Sequence, residues 1–260
     1  MPMLWRGSGA AAHVSILGSI HLWDGELPAW VLRALEESDR VVFEADTSQQ
    51  VLFPELPNNL TISAAWPSLA DALEQAAEVT GADFNAINRL WPAGAAAVLS
   101  LRAQLPHMQP ELGVEAVLRT RSAELSIQPV YLESHAEIFH LTMVVPDARE
   151  QAAFLAHTLQ GLPSLPARVR RAAKEWREGD LVAVVEALEH PQLAVAFPDV
   201  TAGMFQNRHE LWRPRLVQYV EEAAGAGDTL LVVVGCGHLA RAGNLFAYLE
   251  PHGLVFEQGT

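Results

Sequence analysis

The chain alternates between short, mainly apolar runs and longer stretches whose apolar residues recur at helical spacing. Runs at 13–17, 40–43, 128–132, 229–234 and 254–257 are of strand length and rich in Val, Ile, Leu and Phe. Runs without a polar alternation read as strands buried on both faces of a parallel sheet. The 229–234 run is the most apolar and is expected at the centre. Between the first two runs, Pro28 opens a helix to about residue 38, with Trp30, Val31, Ala34 and Leu35 at helical spacing. Strand, helix and strand make a βαβ unit with parallel strands, which places the ends of 13–17 and 40–43 on neighbouring strands. Helical patterns follow from Ser68, with Asp71 as a capping signal three residues on, from Asp83, from Pro92 and over 114–125. From 136 to 220 the pattern is almost all helix, punctuated by Pro146, Pro163, Pro191 and Pro198. The expected fold is α/β. It is a single domain over 1–260 with a central, mainly parallel sheet, and a helical block at about 136–225 lies between the N- and C-terminal strand regions.

Two of the apolar runs end alike, in Gly18-Ser19-Ile20-His21 and Gly235-Cys236-Gly237-His238. With 17 Gly and 10 His in 260 residues, chance alone supplies roughly 0.65 matches to Gly-x-x-His, so the pattern carries little by itself. Its placement carries more. Both copies stand at the carboxyl end of a buried strand, where open α/β sheets bind ligands. Glycine there lets the backbone turn sharply and approach a site closely. Glu44, Asp46 and Glu133 also end apolar runs, and carboxylates in such places are paired, metal-bound or at a solvated rim.

Charge narrows the partners. The formal net charge is −14, which argues against nucleic acid and anionic membranes, both of which recruit Lys and Arg. The single cysteine, Cys236, excludes an intrachain disulfide and a thiolate zinc cluster and reads as a small buried residue. The first twelve residues are too short and polar for a signal peptide, and no run approaches a membrane span, so a soluble, cytoplasmic protein is expected.

His21 and His238, with Glu44, form a set suited to Zn, Mn, Co or Fe with a position left open for water. The alternative for each histidine is a hydrogen bond to a loop. Arg208, in Asn207-Arg208-His209-Glu210, opens a long helix. It is either a surface arginine or a group that steadies charge on a tetrahedral intermediate.

Gly18-Ser19-Ile20-His21, Glu44-Ala45-Asp46, Gly113-Val114-Glu115, Leu132-Glu133-Ser134, Asn207-Arg208 and Val234-Gly235-Cys236-Gly237-His238-Leu239 occur in that order. The set resembles the TraB/GumN family, related to the Tiki metal-dependent proteases and, more distantly, to erythromycin esterases and the haem-iron-associated ChaN-like proteins. The resemblance implies an α/β fold with a metal held by His21, His238 and Glu44, and an accessory role for Arg208. One departure is Ser134-His135-Ala136-Glu137, where the family often has an acidic residue and a Gln. The expected function is a metal-dependent hydrolase, with a peptidase as one form of it, acting on a small molecule or peptide. Glu44, Arg208 and Glu133 would carry the catalysis. The alternatives are a non-catalytic metal- or haem-binding regulatory protein and a metal-free, esterase-like hydrolase.

Overall fold

Six strands build one mixed sheet in the order β4-β3-β5-β2-β1-β6. They are β1 Leu4–Ser8, β2 Val14–Ser19, β3 Arg40–Phe43, β4 Pro129–Tyr131, β5 Leu230–Gly235 and β6 Val255–Gln258. The computed structural model describes residues 2–20, 26–46, 52–106, 109–188, 193–240 and 243–259. Strands β4, β3, β5 and β2 are mutually parallel, and β1 and β6 close one edge antiparallel. The protein is α/β and a single domain, with its sheet mostly parallel.

Every residue of β5, Leu-Leu-Val-Val-Val-Gly, is buried, and this decides the strand order. A strand with no polar position must have neighbours on both edges and packing on both faces. It therefore sits between β2 and β3, pairing Ser19 with Gly235 and Phe43 with Val233. This corrects the expectation that 13–17 and 40–43 are neighbours. They are parallel, as expected, but the C-terminal strand is inserted between them. Strand β1, paired between β2 and β6, is not marked in the sequence because Arg6 and Gly7 break its apolar run.

The sheet and the helices against it share one core, from Met3 to Leu254. A second, smaller cluster joins Leu56, Ile62, Leu73, Ala95, Ala96, Leu99 and Leu155. The helical layer thus begins well before residue 136, with helices Ala70–Thr80 and Pro92–Gln104, and Pro92 occupies the first turn as its fixed φ favours. Asp83 caps its helix by accepting from Ala86 N–H. Pro163 and Pro198 stand at helix starts, whereas Pro191 lies outside the described residues. Among the described residues no helix is long and apolar enough to cross a membrane.

Gly18 serves by its lack of a side chain and not by a special turn. A Cβ there would lie 3.0 Å from Cys236 Sγ and 3.3 Å from Trp5. Its carbonyl also accepts from Trp176 Nε1 at 2.8 Å. Gly235 likewise has an ordinary φ of −58°. Gly18 permits the close approach expected of it, and neither glycine has a positive φ.

Candidate functional site

The parallel register brings the carboxyl ends of β2, β5, β3 and β4 to one edge. Glu44 and Glu133 follow β3 and β4, and Glu133 N–H donates to Glu44 C=O at 2.9 Å, so the two strand ends are tied to each other. His238 closes the short helical turn after β5. Facing them is the first turn of helix Gln206–Ala226, which carries Arg208. Four of the five expected site residues thus come together. The fifth, His21, lies outside the described residues, but its neighbour Ile20 lines the same cavity as His238.

Arg208 is the hub. Its Nη2 donates to Glu44 Oε2 at 2.6 Å, and its Nε reaches both Glu133 oxygens, at 2.9 and 3.1 Å. Nη2 also contacts Glu133 Oε1, and Nη1 donates to Met204 C=O at 3.4 Å. The remaining oxygen of Glu44, Oε1, accepts the Gly235 backbone N–H at 2.6 Å. The guanidinium lies over the Trp212 ring, 4.6 Å from its centroid, and the same ring packs 4.5 Å from His238.

A histidine pair fixes the proton positions. His209 Nδ1 lies 3.1 Å from Gly243 C=O, which can only accept, so Nδ1 carries the proton. Burial pulls the His209 pKa down to about 4, against smaller upward contributions from Gly243 and Glu44. The ring is therefore neutral at pH 7, and its Nε2 is a bare acceptor. His238 Nδ1, 2.9 Å away, must then donate to it. This leaves a lone pair on His238 Nε2, and Arg208 Nη1, which can only donate, points at it from 3.1 Å. The chain of donors runs from Arg208 through His238 and His209 to the Gly243 carbonyl.

Burial and charge compete within the cluster. Glu133 has a fully buried side chain, and its pKa is raised by burial, with Glu44 adding to this and Arg208 opposing it. For Arg208 burial opposes the charge, but Glu44 and Glu133 outweigh it and the net shift is upward, so the guanidinium stays ionised. Cys236 is buried and its thiol is pushed up by desolvation, which fits the small packing residue expected and not a nucleophile. Asp46 is partly exposed at the rim, where its charge adds to burial in raising the Tyr131 phenol.

Supporting contacts hold the strand ends. Ser19 Oγ donates to buried Glu115 at 2.8 Å, Val114 N–H donates to Ile20 C=O at 3.2 Å, and Arg119 reaches Ala45 C=O at 3.0 Å. Helix Val114–Glu124 therefore bridges the ends of β2 and β3. The Ser134–Glu137 departure is a capping box, Glu137 N–H donating to Ser134 Oγ while the Glu137 carboxylate accepts from Ser134 N–H.

A cavity of about 440 Å³ opens against Arg208 and His238, within the range of small-molecule sites. Its walls are mostly apolar, with Ile20, Leu101, Val169, Met204 and Phe205 among them. A larger cavity, about 800 Å³, lies between helices around Leu69 and Leu159 and shares no lining residue with the site.

The expected metal was tested against these donors. Glu44 Oε1 and His238 Nε2 are 3.7 Å apart, close enough to approach one ion. However, His238 Nε2, Glu44 Oε2 and both Glu133 oxygens already accept from Arg208, and Glu44 Oε1 accepts from Gly235. Among the described residues no group of three or more His, Cys, Asp or Glu is arranged to hold a metal. Of these donors His238 Nε2 has a single lone pair, and in this arrangement Arg208 Nη1 engages it.

His209 and Trp212 were not foreseen as site residues. Trp212, four residues on from Arg208, stands at a spacing that shares a helix face, whereas His209, one residue on, carries no such signal. Comparison with known sequences gives a match to the TraB/PrgY/gumN family over residues 3–258. No curated protein and no solved structure matches.

Proposed function

We propose that this chain, which belongs to the TraB/PrgY/gumN family, is a hydrolase that cleaves the acyl bond of an ester or amide with an apolar acyl part. The observation that supports this most is the Arg208 Nη1–His238 Nε2 contact at the wall of a largely apolar cavity. It places a fixed positive donor and a directed imidazole lone pair beside each other. Hydrolysis of a carbonyl needs both, the first for the oxyanion and the second for the water proton.

In this reading the acyl part lies along the apolar wall and its carbonyl oxygen accepts the Nη1 hydrogen bond now made to His238 Nε2. That frees Nε2 to accept a proton as a water molecule attacks the carbonyl carbon. The tetrahedral oxyanion is held by Arg208, which Glu44, Glu133 and Trp212 keep from turning. Glu44 Oε1, 3.7 Å from Nε2, offsets the positive charge that the ring acquires. The ring then returns the proton to the leaving oxygen or nitrogen as the acyl bond breaks. This is the esterase-like alternative from the sequence, and it draws no step through a metal.

The test is turnover of a panel of medium-chain p-nitrophenyl esters and p-nitroanilides, with and without EDTA, for the wild type and His238→Ala. Chelator-insensitive hydrolysis that falls at least about a hundredfold in the variant supports the reading. Hydrolysis that survives the loss of His238 overturns it.

A further inference from the structure

We infer that Arg208 is itself the resident cation of this site, so that its guanidinium and a divalent metal are mutually exclusive occupants of the space between Glu44, Glu133 and His238. Four observations carry this. His238 Nε2, Glu44 Oε2 and both oxygens of Glu133 accept from the one guanidinium. Glu44 Oε1 and His238 Nε2 are 3.7 Å apart, whereas two donors at ~2.1 Å from one tetrahedral ion stand ~3.4 Å apart. The two donors are thus nearly in place for an ion, but the single lone pair of His238 Nε2 is engaged by Arg208 Nη1 and Glu44 Oε1 accepts from Gly235 N–H. Two carboxylates face it, so a divalent ion would balance their charge at least as well. Finally, Arg208 is no loose surface group, since its side chain is only 12% exposed and is pinned by Met204 C=O and the Trp212 ring.

The inference goes beyond hydrolysis and is tested without turnover. The probe is Co²⁺, whose d–d absorption reports imidazole and carboxylate ligation, titrated into the full chain with melting temperature followed in parallel. The wild type and Arg208→Lys are expected to show no ligand-field band and no change in melting temperature with Co²⁺ or EDTA. Arg208→Ala is expected to take up one equivalent of Co²⁺ and to melt higher when loaded. Adding His238→Ala to Arg208→Ala is expected to weaken that binding at least tenfold. If Arg208→Ala folds only with Co²⁺ present, that rescue supports the inference as well. One equivalent of Co²⁺ on the wild type, lost on His238→Ala, overturns it. So does an Arg208→Ala chain that folds without binding Co²⁺, or one that Co²⁺ cannot rescue.

Discussion

Arg208 and Arg215 stand seven residues apart on one helix, and each pairs with a glutamate from the segment after β4. Arg208 meets Glu133 in a dry cluster, and Arg215 meets Glu137 at 2.7 Å where both side chains are about one-third exposed. The same chemistry gives opposite results. Glu133 has its pKa raised, because burial outweighs the guanidinium beside it. Glu137 is held down to about 2, first by its bond to Arg215, with desolvation opposing it and the Ser134 bonds and the Arg215 charge adding to the fall. Exposure decides the sign. The outer pair caps a helix, and through Arg215 and the Leu132 carbonyl it braces the end of β4. The inner one holds a cation beside an imidazole lone pair and a cavity.

The largest effect expected is from Arg208→Ala. It leaves two buried carboxylates uncompensated, and breaking a buried pair in this way costs about 3–5 kcal/mol, readable by denaturant unfolding. Turnover should fall by about 10²–10³ in the same variant. If Arg215→Ala costs as much on either measure, the contrast between the pairs is wrong. Acid comes next. His209 has a folded pKa of about 4, against about 6.5 in the unfolded chain. Its contribution to stability is present above about pH 6.5 and is lost as the pH falls toward 4. The loss amounts to about 3 kcal/mol. His209→Gln should flatten that limb of the stability–pH curve, and an unchanged limb would remove His209 from the account. The smallest effect is on the outer pair. Glu137→Ala should cost about 1 kcal/mol, mostly as a lost helix cap, with turnover unchanged. Its depressed pKa stabilises above about pH 4.5, and this is lost as the pH falls toward 2, as acid titration of the variant against the wild type would show.

Much of this arrangement is legible in the sequence where burial leaves a compositional trace. Glu44, Glu133 and His238 could be picked out because each stands at or just beyond the carboxyl end of a mainly apolar run, and such runs become parallel strands with their ends at one edge. Arg208 stood out through its place at a helix start and through the family resemblance. The strand order was not legible, since the rule that adjacent elements pair acts locally, whereas β5 finds its burial between two strands that precede it by almost two hundred residues or more. His209 and Trp212 were missed for a related reason. On a helix of mixed composition, which side faces the sheet is set by the partners, and the apolar spacing leaves it open. The capping box at Ser134 and Glu137 was readable from its spacing, but it was met as a departure from a family pattern and so was not read as a local signal.

The account rests on one lone pair, the one that His238 Nε2 presents to Arg208 because His209 and Gly243 dictate every proton along the chain. Nitrogen-15 NMR of histidine-labelled protein near pH 7 reads those protons directly. The expected spectrum shows both His209 and His238 as Nδ1–H tautomers, with the His238 Nε2 resonance at the unprotonated position and shifted by the Arg208 hydrogen bond. A proton found on His238 Nε2 would contradict the account, because that nitrogen could then neither accept from Arg208 nor take a proton from water.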